Sequence, residues 1–189
     1  MSNIGDKVLI FPTDTVYGIA ASVYSKKGQE RIYEIKHRDR NKPLAVLCAN
    51  LKQIDEIAYL DNVSKALINE FLPGAVTFIL NAKPIIKEIM GIDTVGVRIP
   101  NSKLALAILT EFGAMATTSV NESGDVPLDT YEEIFEAYSS KVDYIYKKEE
   151  ESSSHSSTVI SLVDNLKVLR EGAITKEKIE EFLRGKDFN

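Results

Sequence analysis

The chain has one cysteine, two histidines, six prolines and no tryptophan in 189 residues. Cys48, set in the apolar run P-L-A-V-L-C-A, cannot close an internal disulfide. It reads as a buried core thiol, or as a nucleophile only with a base beside it. So few histidines and cysteines would leave a zinc site to be built mainly from carboxylates, against zinc's preference for nitrogen and sulfur. Neither His37 nor His155 falls in a recognisable nucleophile-base arrangement. No G-x-x-x-x-G-K-[ST] or G-x-G-x-x-G is present, which excludes the two common glycine-rich phosphate loops. No apolar run approaches the ~18 to 20 residues that cross a bilayer, and the start M-S-N-I-G-D-K-V lacks the basic and apolar regions of a secretion signal. The expectation is a soluble, cytoplasmic protein with no membrane partner. Its net charge of −5 argues against a broad nucleic-acid surface, which needs many phosphate neutralisations, but allows a confined basic cleft.

With 44% hydrophobic residues the chain can bury a sizeable core, and residues 1–189 read as one domain. Periodicity predicts strands at Val8–Phe11, Leu44–Leu47, Ala75–Leu80, Gly96–Ile99, Ala114–Thr118, Tyr144–Tyr146, Val159–Leu162 and Lys167–Arg170. Helices are predicted at Lys27–Lys36, Leu51–Ala58, Val63–Phe71, Leu104–Phe112, Tyr131–Ser139 and Lys176–Leu183, several opened by a capping residue: Asn50, Asn62, Asn101, Thr130 or Thr175. This alternation predicts an α/β fold on a mixed sheet. One stretch, K-K-E-E-E-S-S-S-H-S-S from Lys147 to Ser157, is too polar to pack and reads as a mobile loop, either covering a site or plain surface.

Against the acidic background, Lys36, Arg38, Arg40 and Lys42 stand at alternate positions in E-I-K-H-R-D-R-N-K-P-L. Pro43 biases Lys42 away from helix, so a helix ending near Lys36 or His37 should be followed by an extended basic lip. Such a cluster is either a solvated helix end or a site for a small, multiply charged anion gripped by arginine forks and lysine point charges. Three other segments are chemically loaded. F-P-T-D-T-V-Y-G leaves a strand with two hydroxyls, a carboxylate and a tyrosine; Gly18 there permits a tight turn or close ligand approach, while Asp14 could simply cap a helix. A-T-T-S-V-N-E-S-G offers small hydroxyls and an amide that can hold phosphate or carboxylate oxygens, or build an ordinary turn. D-T-V-G-V-R-I-P puts Arg98 in an apolar strand, where the cation needs an anion, either a ligand or a structural Asp or Glu; Arg170 repeats that pattern in V-L-R-E-G. What remains is an enzyme or binder that positions anions, and transfer at a nucleotide phosphate fits that description.

Taken in order, P-T-D-T-V-Y-G, K-H-R with K-P-L, F-L-P-G-A-V-T, V-G-V-R-I-P, T-S-V-N-E-S-G, S-T-V-I and L-R-E-G-A-I resemble the YrdC-like threonylcarbamoyl-AMP synthases, in their short single-domain bacterial form. The resemblance runs from Phe11 to Ile174. It implies a twisted mixed α/β sheet with flanking helices around a cationic concave cavity. It also implies condensation of L-threonine, bicarbonate and ATP to threonylcarbamoyl-adenylate and pyrophosphate, with Mg²⁺ carried on the ATP phosphates and no protein metal site. The product would serve downstream tRNA threonylcarbamoyl-transfer proteins, which make N6-threonylcarbamoyladenosine beside the anticodon of tRNAs reading codons that begin with A.

Carried over by motif, Lys36, Arg38, Ser119 and Asn121 would be the catalytic set facing the nucleotide. Thr15, Arg98, Thr118 and Ser157 would bind L-threonine, Arg98 through its carboxylate. Arg38, Lys42, Thr94, Val120 (through its backbone) and Arg170 would bind ATP. Asp39 stands where many members have proline, and Leu47 lies near a histidine of the longer forms that contacts threonine. Two other classes compete: a carbamoyl-adenylate-forming domain of the hydrogenase-maturation type, and a non-catalytic module whose basic cavity makes a weak RNA contact. Scarce aromatics near the basic cluster, Tyr33 apart, count against the second.

Overall fold

Successive side chains of a strand face opposite sides of the sheet, and here that alternation sets both the core and the cavity. The computed structural model describes residues 4–121, 127–147 and 156–184. His155, most of the polar stretch Lys147–Ser157, and the Glu122–Gly124 end of the T-S-V-N-E-S-G motif lie outside the described residues. The elements run β1 (Val8–Pro12), β2 (Tyr17–Ser22), α1 (Lys26–Lys36), β3 (Ala45–Leu47), α2 (Leu51–Ile57), α3 (Asn62–Phe71), β4 (Val76–Asn81), α4 (Pro84–Met90) and β5 (Thr94–Arg98). They continue with α5 (Lys103–Phe112), β6 (Met115–Ser119), α6 (Tyr131–Tyr138), β7 (Tyr144–Ile145), β8 (Thr158–Ser161), β9 (Lys167–Arg170) and α7 (Lys176–Leu183). All the strands join one mixed sheet in the order β7-β1-β2-β6-β3-β5-β4-β8-β9. No helix among the described residues is long and apolar enough to cross a membrane.

The strands and helices predicted from periodicity are present, and two elements were not foreseen. β2 falls in V-Y-G-I-A-A-S, whose glycine and alanines carry little strand signal, yet it is buried along nearly its whole length between β1 and β6. α4 is a short helix with Pro84 in its first turn and Gly91 in the left-handed region (φ 68°) at its end. Two caps sit one residue from expectation. Asp61 rather than Asn62 caps α3, in a reciprocal capping box with Ser64, and Ser102 rather than Asn101 caps α5. Asn50 caps α2 and Thr130 caps α6 as predicted, whereas the Thr175 side chain makes no cap bond.

The sheet is covered unequally. On one face Val46, Val76, Phe78, Val97 and Ile160 pack with Ile54, Ile57, Leu67, Ile86 and Ile179 of the helices, and Val8, Ile10, Ile19 and Ala116 pack with Ile32 of α1 and Ile134 of α6. On the other face α5 is the one helix among the described residues that packs, through Ala105, Ile108 and Leu109 against Leu9, Phe11, Ala20, Leu47 and Met115. Cys48 is fully buried, and that burial pushes its thiol far above the ordinary range, so it serves the core. Gly18 lies inside β2 rather than in a turn, and a Cβ there would sit 2.7 Å from Thr117 Cγ2 on the neighbouring strand. Gly18→Ala should therefore cost about 1 to 3 kcal/mol by overpacking, and Thr117→Ser, which removes the opposing methyl, should recover much of it. Urea unfolding of the two single variants and the double variant measures that coupling.

Candidate functional site

Past α5 no helix of the described residues covers the second face of the sheet, and the alternation of six strands turns it into the floor of a cavity of about 460 Å³. Thr117 of β6 stands opposite Ala45 of β3, Ile79 of β4 opposite Gly96 of β5, and Val159 of β8 opposite both Thr77 and Arg170. All of these line the cavity, with Thr94 and Arg98 from β5. The floor side chains are small because the space above them is the site. Even at Gly96 a Cβ would come within 3.3 Å of the Thr77 methyl. The volume lies in the range of small-molecule pockets.

Three arginines, Arg38, Arg98 and Arg170, line the cavity together with hydroxyl-bearing Thr15, Thr77, Thr94, Thr117, Thr118, Ser119, Ser156 and Ser157, and among the described residues no carboxylate lines it. Each arginine is tied down. The Arg98 guanidinium is buried; burial lowers its pKa, and Asp14 acts in the opposite direction. It donates from Nε to Gly74 O (2.9 Å), from Nη1 to Thr15 Oγ1 (2.9 Å) and from Nη2 to Asp14 Oδ1 (2.7 Å). Asp14 thus caps no helix: it lies in the β1–β2 turn, where Thr13 N donates to Val16 O, and pairs with the cation 84 residues away. Arg38 donates to the Lys42 and Pro43 carbonyls, and Arg170 to Ser157 O. Ser157 Oγ lies 2.9 Å from Thr77 Oγ1. The start of β8 is braced from the L-R-E-G-A-I segment, where Gly172 N and Ile174 N both donate to Thr158 Oγ1 at 3.0 Å. A Cβ on Gly172 would lie 2.2 Å from Ser156 O, so only glycine admits this approach.

Lys36, the last residue of α1, is buried at the cavity's edge rather than exposed on a lip. Its Nζ donates to Ser119 O and, at 3.0 Å, to Asn121 Oδ1; Ser119 Oγ donates to the same Oδ1 at 2.6 Å. Burial, with Arg38 adding like-charge repulsion, brings the ammonium pKa down from 10.5 to about 8. The K-x-R and S-x-N motifs, more than 80 residues apart, are thus one hydrogen-bonded cluster.

The expected extended lip is corrected. His37 takes a left-handed conformation (φ 48°) that ends α1, and Lys42 N bonds back to Asp39 O in a turn. The four cations therefore separate. Arg40 pairs with Glu30 in solvent, and Lys42 is exposed and absent from the cavity lining, its carbonyl accepting from Arg38. Val120 is fully buried, and its N–H is donated to Tyr17 O. Leu47 belongs to the core under α5. Sequence reasoning singled out Thr117 within its hydroxyl run and allowed Arg98 a structural Asp or Glu, but passed over Gly96, which a count of alternate residues from Arg98 would have found, and Thr77, which strand pairing alone brings beside it; that the carboxylate is that of Asp14 was not legible.

Lys36 makes a signed prediction. Below pH 8 folded and unfolded chains both hold its proton, and burial of the charge opposes folding at full strength. Between about 8 and 10.5 the unfolded chain binds more proton, so stability rises with pH. Relative to Lys36→Met, the wild type should gain stability between pH 7.5 and 10, measured by urea unfolding at each pH; a constant difference would place the ammonium in water.

The model of the Sua5/YciO/YrdC family, described as "Telomere recombination", matches residues 5–172. A putative threonylcarbamoyl-AMP synthase of Methanocaldococcus jannaschii is 35% identical over 177 residues, covering 93% of this chain and 84% of that protein. The threonylcarbamoyl-AMP synthase of Bacillus subtilis is 35% identical over 181 residues, but the match spans 52% of its length. Among solved structures, P. abyssi Sua5 complexed with L-threonine superposes with a TM-score of 0.88 at 29% identity, over 95% of this chain and 54% of that one. This chain therefore belongs to the Sua5/YciO/YrdC family.

Proposed function

We propose that this chain is an L-threonylcarbamoyladenylate synthase, which condenses L-threonine, bicarbonate and ATP to threonylcarbamoyl-AMP and pyrophosphate. One observation carries the reading: a single cavity brings together Arg38, Arg98, Arg170 and a ring of hydroxyls, with no carboxylate among its described lining residues and the Lys36, Ser119 and Asn121 cluster at its edge. The relatives named threonylcarbamoyl-AMP synthase supply the reaction. The cavity supplies a chemical fit to it, because the reaction gathers three anionic groups, a triphosphate, bicarbonate and an amino acid carboxylate, and expels pyrophosphate.

In this reading the free threonine amine attacks bicarbonate carbon and water leaves, and an oxygen of the resulting carbamate attacks the α-phosphorus of ATP as the bond to the α,β-bridging oxygen breaks and pyrophosphate departs. Arg38 and Lys36 face the charge that develops on the transferring phosphorus and the leaving pyrophosphate, and fixed donors of this kind stabilise a transition state without reorganising. Ser119 and Asn121 orient the ammonium. Arg98, Thr15, Thr118 and Ser157 take the threonine side, and Thr94 and Arg170 take the nucleotide side with Lys42 on the exposed chain beside them; Val120, its N–H given to Tyr17 O and its carbonyl accepting from Leu128 N, has no backbone N–H left for ATP. Mg²⁺ fits as an ion carried by the triphosphate, because the lining offers it hydroxyls and no carboxylate cage, and magnesium is commonly held through substrate phosphates. When bound, it neutralises phosphate charge. The product passes to threonylcarbamoyl-transfer proteins acting on tRNA, and the setting is the cytoplasm.

The test is pyrophosphate release from ATP with bicarbonate and Mg²⁺, comparing L-threonine, L-serine and no amino acid. Threonine-dependent release is expected. Release that ignores threonine and needs carbamoyl phosphate would replace the reading with hydrogenase-maturation chemistry, and RNA binding without turnover would replace it with the binding module. Within the assay, Arg38→Ala should lower kcat on the order of a hundredfold. Asn121→Ala should impair turnover in a domain that still unfolds cooperatively, and normal turnover would make Asn121 a purely structural residue.

A further inference from the structure

Among the described residues the sheet ends in two edge strands, β7 and β9, and their sequences treat a second copy of the same strand in opposite ways. An edge strand carries unpaired backbone groups, and a like strand arriving antiparallel across a two-fold axis meets them with its own. In β9, K-V-L-R, such pairing sets Lys167 opposite Arg170, and like charges directly opposite repel. β7 with its neighbours reads D-Y-I-Y-K, from Asp143 to Lys147. Turned about Ile145, this segment sets Asp143 opposite Lys147 of a second copy and Tyr144 opposite Tyr146. The end charges then attract and the aromatic rings meet. A slipped register loses both ion pairs, so the charges select one alignment.

The side chains at this edge are sorted for that alignment. Asp143 pairs with Arg31 of α1 at 2.8 Å, Ile145 packs in the cluster that holds Ile32 and Ile134, and the Lys147 ammonium lies 5.6 Å from the centre of the Tyr131 ring. These three share the helix-covered face. Tyr144 and Tyr146 meet edge to face on the opposite side, ring centres 4.6 Å apart, and Tyr144 is 57% exposed. Both bonds that Asp143 accepts from described residues, from Val8 N and Arg31 Nη1, fall on Oδ2, which leaves Oδ1 for a further cation. Beside the same edge α6 carries Tyr131 and Phe135, ring centres 5.7 Å apart, with Phe135 half exposed. We propose that β7 is a self-association surface, at which a second copy of this chain pairs antiparallel about Ile145 and joins the two sheets into one. The strand pair alone is short, and a stable interface of roughly 1,200 Å² or more draws also on the tyrosine row and the Tyr131–Phe135 stripe. Edge pairing across a two-fold preserves both faces of the sheet, and no cavity-lining residue comes from β7 or α6. Both cavities therefore open on the same side of the dimer, outside the interface.

Sedimentation equilibrium over a concentration series reads the association. The wild type should pass from one chain mass to two as concentration rises, and a wild type that stays monomeric throughout overturns the proposal. Lys147→Glu, at an exposed position, sets carboxylates against each other at both ends of the strand pair and should weaken the dimer about tenfold or more. Asp143→Lys sets ammonium groups against each other and should do the same. Mixed in equal amounts, the two variants restore opposite charges at both ends and should form a heterodimer tighter than either variant forms alone. A dimer that Lys147→Glu leaves unchanged uses another surface, and that result, or a mixture of folded variants that gains nothing, overturns the proposal. Asp143 also ties β7 to Val8 and Arg31, so a second variant reads the alignment without touching it. Directly opposed Cα atoms of an antiparallel pair lie about 4.5 to 5.5 Å apart, within disulfide reach. With oxidised glutathione, Ile145→Cys should form a covalent dimer that a thiol reductant releases, while the native Cys48 is buried and does not compete. Absence of that cross-link at concentrations where the wild type dimerises overturns the pairing about Ile145.

Discussion

A guanidinium placed on an apolar strand must find partners, and the partners Arg98 takes determine where the surrounding chain goes. Gly74 O comes from the turn between α3 and β4, and Thr15 and Asp14 come from the turn between β1 and β2. An uncompensated charge at that depth would cost several kcal/mol, so these turns are held as firmly as the core that surrounds them. The P-T-D-T, F-L-P-G and V-G-V-R motifs, scattered over more than 80 residues, are explained together as the two shells and the centre of one buried cation.

A second constraint is the unequal cover of the sheet. Helices of the described residues cover one face, where the inward side chains are apolar, most of them large aliphatic or aromatic groups. On the other face α5 stops short, and at that boundary the strands change from Leu9, Leu47 and Met115 to Ala45, Gly96, Thr77 and Thr117. The same strands thus hold core at one end and a polar, cationic floor at the other. Ordered strands make a rigid seat for the groups a reaction needs to hold still, since preorganised donors lose their advantage if they must move into place.

All the strands but β2 and all the helices but α4 were legible in the sequence, as short apolar runs or as amphipathic stretches behind a capping residue. β2 was missed because Tyr17–Ser22 is built from small residues, and its strand character comes from neighbours on both sides rather than from its own side chains. The basic segment was misread in shape for a local reason. Alternation suits an extended chain, but His37 enters the left-handed region and Asp39 closes a turn, which sends Arg40 to solvent and Lys36 inward.

The sequence by itself determined the α/β class, the set of basic and hydroxyl residues that are candidates for handling anions and, through the order of seven motifs, the family. These are properties of composition, spacing and local period. Tertiary structure alone decided which of those residues meet. It joined Lys36 to Asn121, gave Arg98 the carboxylate of Asp14, left Lys42 outside the cavity and turned the Val120 N–H to Tyr17. The physical reason is that contacts between residues 80 apart depend on strand order and register, which no local pattern encodes and which the burial of the whole sheet selects together.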